Sequence, residues 1–249
     1  ALYRNLRKYE KQFHCIHAHW LIPQGILSSF CRKPFIVTGH GGDVGELNGS
    51  VFYLLKKRCL KKASAVTVVS AHLRHILKTV YGNTDAKVIP MGCNTSYFTP
   101  ANRVENYFSQ GEKKVVLFVG RLAEKKGTVY LIQAMQYVDA LLVIAGSGPL
   151  EKECKSLAAS LHLEDKVHFL GPKSHTDLRA IYASADLFAA PSVTAKNGDV
   201  EGFGLVILEA MASGLPVIAS NSGGITDIIT DGENGLLAQE RDSRQIASH

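Results

Sequence analysis

Short apolar runs of strand length recur along this chain, each followed by a turn and then a helical pattern. That alternation constrains the fold more than any other feature. In the second half, Lys114–Val119 reads as a strand ending at Gly120, Thr128–Gln136 as a helix and Leu141–Ala145 as a strand. Pro149–Leu161 and Thr176–Ala183 then read as helices, and Val167–Leu170 and Leu187–Ala190 as strands. Leu205–Met211 is a helix stopped by Gly214 and Pro216, followed by a strand at Pro216–Ala219 and a helical turn at Ile225–Ile229. The first half predicts strands at Phe13–Ala18, Pro34–Thr38, Ala65–Val69 and Lys87–Pro90, with helices at Val51–Lys62 and Ala71–Tyr81. Strands this continuously apolar belong to parallel sheets covered on both faces. Between Asn94 and Lys113 the apolar residues thin out among Asn, Ser, Thr, Gly and Pro, which marks a linker. The expectation is α/β, with two Rossmann-like doubly wound parallel-sheet domains, 1–98 and 99–249, facing a cleft. Ligands of such sheets bind beyond the carboxyl ends of the strands, where the Gly-rich segments of this chain fall.

The chain has 249 residues, 46% hydrophobic and 20% charged, which excludes a disordered or fibrous protein. No apolar stretch approaches the roughly 18–20 residues of a spanning helix, and no signal peptide is expected. The chain begins at Ala1 in a basic amphipathic pattern and ends at His249 inside a starting helix, so a fragment of a longer protein is expected. Five cysteines, at 15, 31, 59, 93 and 154, are odd in number and form no C-x-x-C, which points to a reducing cytosol and away from a zinc site. Charge is uneven: residues 1–94 hold 14 Lys+Arg against 4 Asp+Glu, whereas the remainder holds 14 against 18. The basic half, with Lys56-Lys57-Arg58 and Lys61-Lys62, either forms a solvated face or attracts an anionic membrane surface, a phosphorylated acceptor or nucleic acid.

The strongest chemical signal is Glu201-Gly-Phe-Gly-Leu-Val-Ile-Leu-Glu209. Glu209 lies within an apolar helix, where a carboxylate must be paired, bonded to neighbouring backbone, or bonded to a ligand such as a sugar or ribose hydroxyl. Glu201 stands before the helix start, either capping it or facing a ligand. The adjacent Gly202 and Gly204 allow close backbone approach, and the helix start offers free N–H groups to phosphate. Gly120-Arg121-Leu-Ala-Glu-Lys-Lys126-Gly127 follows a strand; Arg121 can grip a diphosphate and Lys126 can add a point charge, or the segment is a solvated turn. Ser222-Gly223-Gly224 can cradle phosphate through backbone N–H groups or simply turn the chain. Ala145-Gly146-Ser147-Gly148 lacks the third glycine of a dinucleotide fingerprint, and no ribose-binding acid follows at 166–170, so a tight turn is expected there. In Thr38-Gly39-His40-Gly41-Gly42-Asp43 the His–Asp pair suits sugar hydroxyls, or His40 simply hydrogen-bonds within its loop. His17-Ala-His19 has no companion ligands, and the chain has no Asp-x-Asp, so no metal site is expected.

These segments resemble glycosyltransferase family 4, the retaining GT-B glycosyltransferases, over nearly the whole chain. The resemblance includes "HAHWLIPQG", "PFIVTGHGGDV", "VIPMGCNTSYF", "VGRLAEKKG", "IAGSGPL", "ADLFAAPS", "DVEGFGLVILEAMASGLPVIAS" and "GGITDIITDGENGLL". It implies that Arg121 and Lys126 bind the donor diphosphate, that Glu201 bonds donor-sugar hydroxyls and that Glu209 holds the ribose. By the same likeness Phe203, Gly204, Leu205, Gly223 and Gly224 line the phosphate and sugar pocket, Leu170 and Gly171 lie near the base, and His40 sits near the anomeric centre. The family's opening strand with its Gly-rich loop and its closing helices are absent, which makes the first domain incomplete, and Thr226 replaces a more usual proline-acid pattern. The implied function is a metal-independent, retaining transfer of a hexose-type sugar from a nucleotide sugar, with UDP the expected nucleotide, to a glycan or lipid-linked acceptor. No cofactor and no nucleic-acid partner are implied, and the expected location is cytoplasmic or peripheral on the inner membrane face. The alternatives are a sugar-nucleotide epimerase on the same fold and an inactive nucleotide-sugar-binding partner.

Overall fold

The computed structural model describes residues 2–46, 49–83, 85–108, 111 and 113–249. The chain divides into two compact units, Ala1–Met91 with Lys196–Phe203, and Gly92–Ala195 with Gly204–His249. The segment Lys196–Phe203 therefore packs with the first unit although the sequence reading put it in the domain 99–249.

The first unit carries a four-stranded, all-parallel sheet of β1 (Ile16–His19), β2 (Phe35–Gly39), β3 (Ala65–Val68) and β4 (Lys87–Val88), in that spatial order. β1 begins three residues after the expected Phe13 and β2 runs one residue later than expected, whereas β3 and β4 begin where expected and stop one and two residues early, where their pairing with a neighbour ends. The helices α1 (Leu2–Tyr9), α2 (Ser50–Lys62) and α3 (Ala71–Tyr81) accompany this sheet. α3 begins where the Ser70 hydroxyl accepts the Leu73 N–H and ends at Gly82 with φ +68°, so local capping sets both of its limits. A kinked helical stretch over Leu21–Ser28 and one turn at Gly42–Gly45 were not evident from periodicity.

The second unit carries six parallel strands: β5 (Val115–Val119), β6 (Leu141–Ala145), β7 (Val167–Gly171), β8 (Leu187–Ala190), β9 (Val217–Ser220) and β10 (Leu236–Ala238). Their spatial order is β10-β9-β8-β5-β6-β7. The chain thus winds outward from β5 in one direction, returns, and winds outward from β8 in the other. This is the doubly wound order, and its switch point lies between the carboxyl ends of β5 and β8. α4 (Thr128–Ala134), α5 (Glu151–Ser160), α6 (His175–Ser184), α7 (Leu205–Ala212) and α8 (Ser243–Ser248) are the helices of this unit.

Alternation within strands splits the core in two. Val115, Leu117 and Val119 pack with Tyr182, Phe188 and Ile207 on one face, while Phe118 packs with Leu131, Ile132, Leu142 and Ile144 on the other. Every residue of β6 is buried, as a central strand covered on both faces requires.

Beyond β5 and β6 the backbones meet directly. The Gly120 N–H donates to Ala145 O at 3.0 Å, and the Leu122 N–H donates to Ser147 O at 2.9 Å. A Cβ on Gly146 would lie 1.9 Å from Gly120 O, and its φ is +146°. Residues 146–148 are an irregular segment paired to both neighbouring strands and the turn expected there comes just after, at Pro149–Leu150; in the segment a glycine stands where a neighbouring carbonyl fills the side-chain space. Gly146→Ala should therefore destabilise the second unit by about 2–4 kcal/mol. Gly232→Ala, at φ +75° with nothing within 4 Å, should cost about 1 kcal/mol. Urea unfolding of the two variants measures this, and equal losses would contradict the steric account.

Candidate functional site

Loops at the carboxyl ends of both sheets hold the residues singled out in the sequence. In the first unit, His40 follows β2. Its backbone N–H and that of Gly41 donate to Asp43 Oδ1 at 3.0 and 2.8 Å, and the Leu21 N–H donates to Asp43 Oδ2 at 2.7 Å. Asp43 is buried, so this carboxylate ties the turn after β2 to the segment after β1. His40 Nε2 lies 3.0 Å from His19 Nδ1, and the Trp20 ring stacks on His40 at 5.8 Å between centroids. Burial lowers the His40 pKa and His19 and His17 add to that, against the opposing pull of Asp43. A neutral imidazole results, suited to hydrogen bonding rather than to carrying charge. His17 takes a structural role, bonding Thr38 Oγ1 at 2.8 Å, which in turn meets Thr67 Oγ1 at 2.7 Å.

Lys56 corrects the reading of the basic stretch. Its side chain is fully buried and donates to Val44 O at 3.2 Å and to Glu46 O. It caps the end of the Gly42–Gly45 turn from below, where carbonyls point out of the helical turn. Burial lowers its pKa against the pull of Asp43 and Glu46. Periodicity could not separate Lys56 from its exposed neighbours Lys57 and Arg58, because only the tertiary partner distinguishes them.

Glu201 and Phe203 belong to the first unit, whereas Gly204 and Leu205 belong to the second. Glu201 is half-buried and Phe203 buried. A Cβ on Gly202 would come within 2.2 Å of His40 O, so Glu201 is held next to the His40 turn by a backbone approach that only glycine permits.

In the second unit, Arg121 follows β5 and is exposed, and among the described residues its guanidinium has no ion pair or hydrogen bond. Lys126 ends the helical turn Glu124–Lys126 and is half-buried. Gly204, with φ +102°, precedes α7, and no side chain caps that helix start. Gly223 (φ +53°) and Gly224 open the turn Gly223–Asp227 beyond β9. Leu170 and Gly171 end β7 half-buried, and Gly171 O accepts the Gly146 N–H at 2.9 Å.

Glu209 is 5% exposed on α7, and its Oε2 accepts the Tyr182 hydroxyl at 3.0 Å. The partner is therefore a side chain, not the backbone, and it engages one oxygen only. Burial raises the Glu209 pKa, with the Tyr182 bond and the charge of His175 opposing. Burial also raises the Tyr182 hydroxyl well above its ordinary range, which keeps it a donor. Sequence reasoning missed Tyr182, although its place in the Thr176–Ala183 helical pattern gave it an inward position. Among the described residues no three His, Cys, Asp or Glu side chains gather at metal-holding distances.

Two all-parallel α/β units with Gly-rich loops beyond their strands define a two-unit doubly wound architecture, and comparisons with known proteins give its family. A family model described as "Glycosyl transferases group 1" matches residues 102–249, and one described as "Glycosyltransferase Family 4" matches residues 1–97. The chain belongs to this group 1/family 4 glycosyltransferase family. The GDP-mannose-dependent alpha-(1-6)-phosphatidylinositol monomannoside mannosyltransferase of Mycobacterium tuberculosis is 33% identical over 91% of this chain and 61% of its own length. An uncharacterized glycosyltransferase of Methanocaldococcus jannaschii is 31% identical over 95% of this chain and 65% of its own. Anabaena HepE in complex with UDP and glucose superposes with a TM-score of 0.85 at 25% identity, covering 99% of this chain and 70% of HepE. Sucrose-phosphate synthase from Thermosynechococcus elongatus gives a TM-score of 0.82 at 26% identity, covering 99% and 66%. The fold is GT-B, and the chain spans 61–65% of the length of these two curated relatives.

Because folding raises the Glu209 pKa above its ordinary 4.5, the folded state holds the proton more tightly than the unfolded chain. Stability from this group is full below 4.5 and is lost as pH rises through the raised value. Glu209→Gln should therefore melt higher than the parent near about pH 8, with the difference shrinking toward about pH 4. Thermal unfolding across pH checks this; a difference independent of pH would contradict it.

Proposed function

We propose that this chain binds a nucleotide sugar and serves in transfer of its hexose-type sugar to a glycan or lipid-linked acceptor. The observation that carries this reading is the second unit's ligand end. The unpaired Arg121 guanidinium stands beyond β5, and Glu209 keeps one oxygen unbonded on an uncapped helix. A diphosphate is met by the guanidinium, Lys126 and the N–H groups at Gly204, Leu205, Gly223 and Gly224; the ribose hydroxyls are met by Glu209. The family resemblance assigns Glu201 and His40, both of the first unit, to hydrogen bonds with the sugar. HepE supports UDP as the nucleotide, and the mannosyltransferase relatives support GDP-mannose.

The reaction proposed is metal-independent and retains configuration. The acceptor oxygen bonds to the anomeric carbon on the face from which the diphosphate departs. The bond from that carbon to the phosphate oxygen breaks, and a phosphate oxygen takes the acceptor proton. The protein's part is position and stabilisation of the departing charge.

Calorimetry with UDP and with GDP, then nucleotide release from UDP-hexoses and GDP-mannose with and without acceptor mixtures, tests the reading. Binding of neither nucleotide overturns it. Binding without turnover selects the inactive binding partner, and free sugar released without acceptor selects the epimerase. Arg121→Ala should lower kcat/KM by about 100-fold, the scale of one lost oxyanion donor; an unchanged value would remove Arg121 from the site.

An anionic membrane surface is the proposed further partner, with a peripheral cytoplasmic location. On α2, Val51 and Leu54 are 68% and 63% exposed and share one stripe with Arg58 and Lys61, flanked by Lys57 and Lys62. α1 adds Arg4, Arg7 and Lys8 and buries nothing. Among the described residues no helix is long and apolar enough to cross a membrane. Sedimentation with phosphatidylglycerol vesicles should be salt-sensitive, and Lys61→Glu with Lys62→Glu should weaken it more than about tenfold. Equal binding to neutral vesicles would contradict the surface.

A further inference from the structure

Glu240 follows β10, and no motif of the sequence singles it out. Its side chain is 21% exposed and accepts hydrogen bonds from two other loops. Oε2 accepts the Thr194 backbone N–H at 2.9 Å, and Oε1 accepts the Thr194 hydroxyl at 2.9 Å and also the Ser222 hydroxyl. Arg241 Nη1 lies 3.3 Å from Oε2, and its Nη2 donates to Thr194 O. One carboxylate therefore joins segments 46 and 18 residues away in the chain.

Each segment leads to a loop that the nucleotide-sugar reading assigns to the diphosphate. Ser222 is buried and immediately precedes Gly223 and Gly224. Thr194 follows Val193, whose N–H donates to Lys125 O at 2.8 Å. Three residues earlier, Pro191 O sits so close to Gly127 that a Cβ there would be 1.8 Å away. The loop after β8 is thus fastened on one side to the Lys125–Gly127 turn beyond β5, at the switch point of the sheet. On its other side it is fastened through Glu240 to the Gly223–Gly224 turn beyond β9. The hydrogen bonds from Ser222 and Thr194, with Arg241, overcome the effect of burial and lower the Glu240 pKa, so the carboxylate stays charged and accepting.

We propose that Glu240 is a positioning residue that holds the Lys126 turn and the Gly223–Gly224 turn in register for a nucleoside diphosphate, without touching it. This rests on the nucleotide-sugar reading above and extends it to a side chain outside the binding motifs. The geometry limits its action to the phosphate-bearing part of the ligand, since the residues placed near the base and ribose, Leu170, Gly171 and Glu209, share no bond with this network.

The test is titration of the 249-residue chain with UDP, GDP, uridine and guanosine, using whichever diphosphate the parent binds and its own nucleoside. Glu240→Ala should weaken the diphosphate about tenfold and the nucleoside less than about twofold. Glu240→Gln should recover most of the loss, because its amide oxygen still accepts the Thr194 N–H while its amide nitrogen meets hydroxyls that can accept. Ser222→Ala should weaken the diphosphate in the same sense, and combining it with Glu240→Ala should add little. The inference is overturned if Glu240→Ala binds the diphosphate like the parent, or loses diphosphate and nucleoside alike as a merely destabilised chain would. It is also overturned if Glu240→Gln behaves like Glu240→Ala, or if the two losses simply add. A parent chain that binds neither diphosphate overturns the nucleotide-sugar reading itself and this inference with it.

Discussion

Much of the second unit depends on one constraint, the direct approach of backbone to backbone where its parallel strands end. A parallel sheet closes its ladder with slanted bonds and then releases each chain into a loop. Here those loops do not splay apart. Gly120 bonds to the last residue of β6, Leu122 bonds to the loop after it, and Val193 bonds to the turn after β5. Carbonyl oxygens occupy the space where side chains of Gly146 and Gly127 would stand. The result is a set of loops whose backbones are fixed against one another, as the proposed nucleotide-sugar site would require. Such preorganisation lets modest dipoles act on a developing charge without first paying to align them.

Charged side chains fasten loops within each unit. In the first unit Asp43 accepts three backbone N–H groups from two segments, and buried Lys56 donates to the carbonyls at the end of the same turn. In the second, Glu240 ties the loops after β8 and β9. A neutral side chain could make some of these bonds. A charge makes them about twice as strong, and burial leaves it few alternative partners. Each fastener is costly to bury alone, so the folded arrangement that satisfies it is strongly preferred. Glu209 is different: one of its oxygens has no bond, and its raised pKa records an incompletely repaid burial. A carboxylate held in that state gains when a hydroxyl donor arrives.

Most of the fold was legible wherever local sequence carries its own boundary. Ala71–Tyr81, Leu141–Ala145 and Leu187–Ala190 match their expected limits end to end. In the first case Ser70 and Gly82 mark both ends; in the others the apolar run stops at Gly146, or lies between Asp186 and Pro191. The spatial order of the strands was not legible, since periodicity reports a strand's faces and not its neighbours. β10 was missed because three residues, Leu236–Ala238, are too short to show a period. Leu21–Ser28 was missed because Pro23 and Gly25 read as turn residues, although Asp43, 22 residues away from Leu21, holds that segment.

The same division runs through the site. Motif residues were visible because glycine, arginine and glutamate in fixed order have few local explanations. Their supports were invisible for the opposite reason. Lys56 looks like any other member of a basic run, and Glu240 looks like any exposed acid before a helix. Tyr182 looks like a core aromatic and, apart from its hydroxyl, it is one. What makes each a support is a partner from 10 to 46 residues away, and nothing in the intervening sequence encodes that distance. A ligand-binding loop is recognisable because its composition answers to the ligand. The groups that hold it answer only to the fold, so any residue of suitable charge and reach can take the place, and the sequence leaves no fixed signature there.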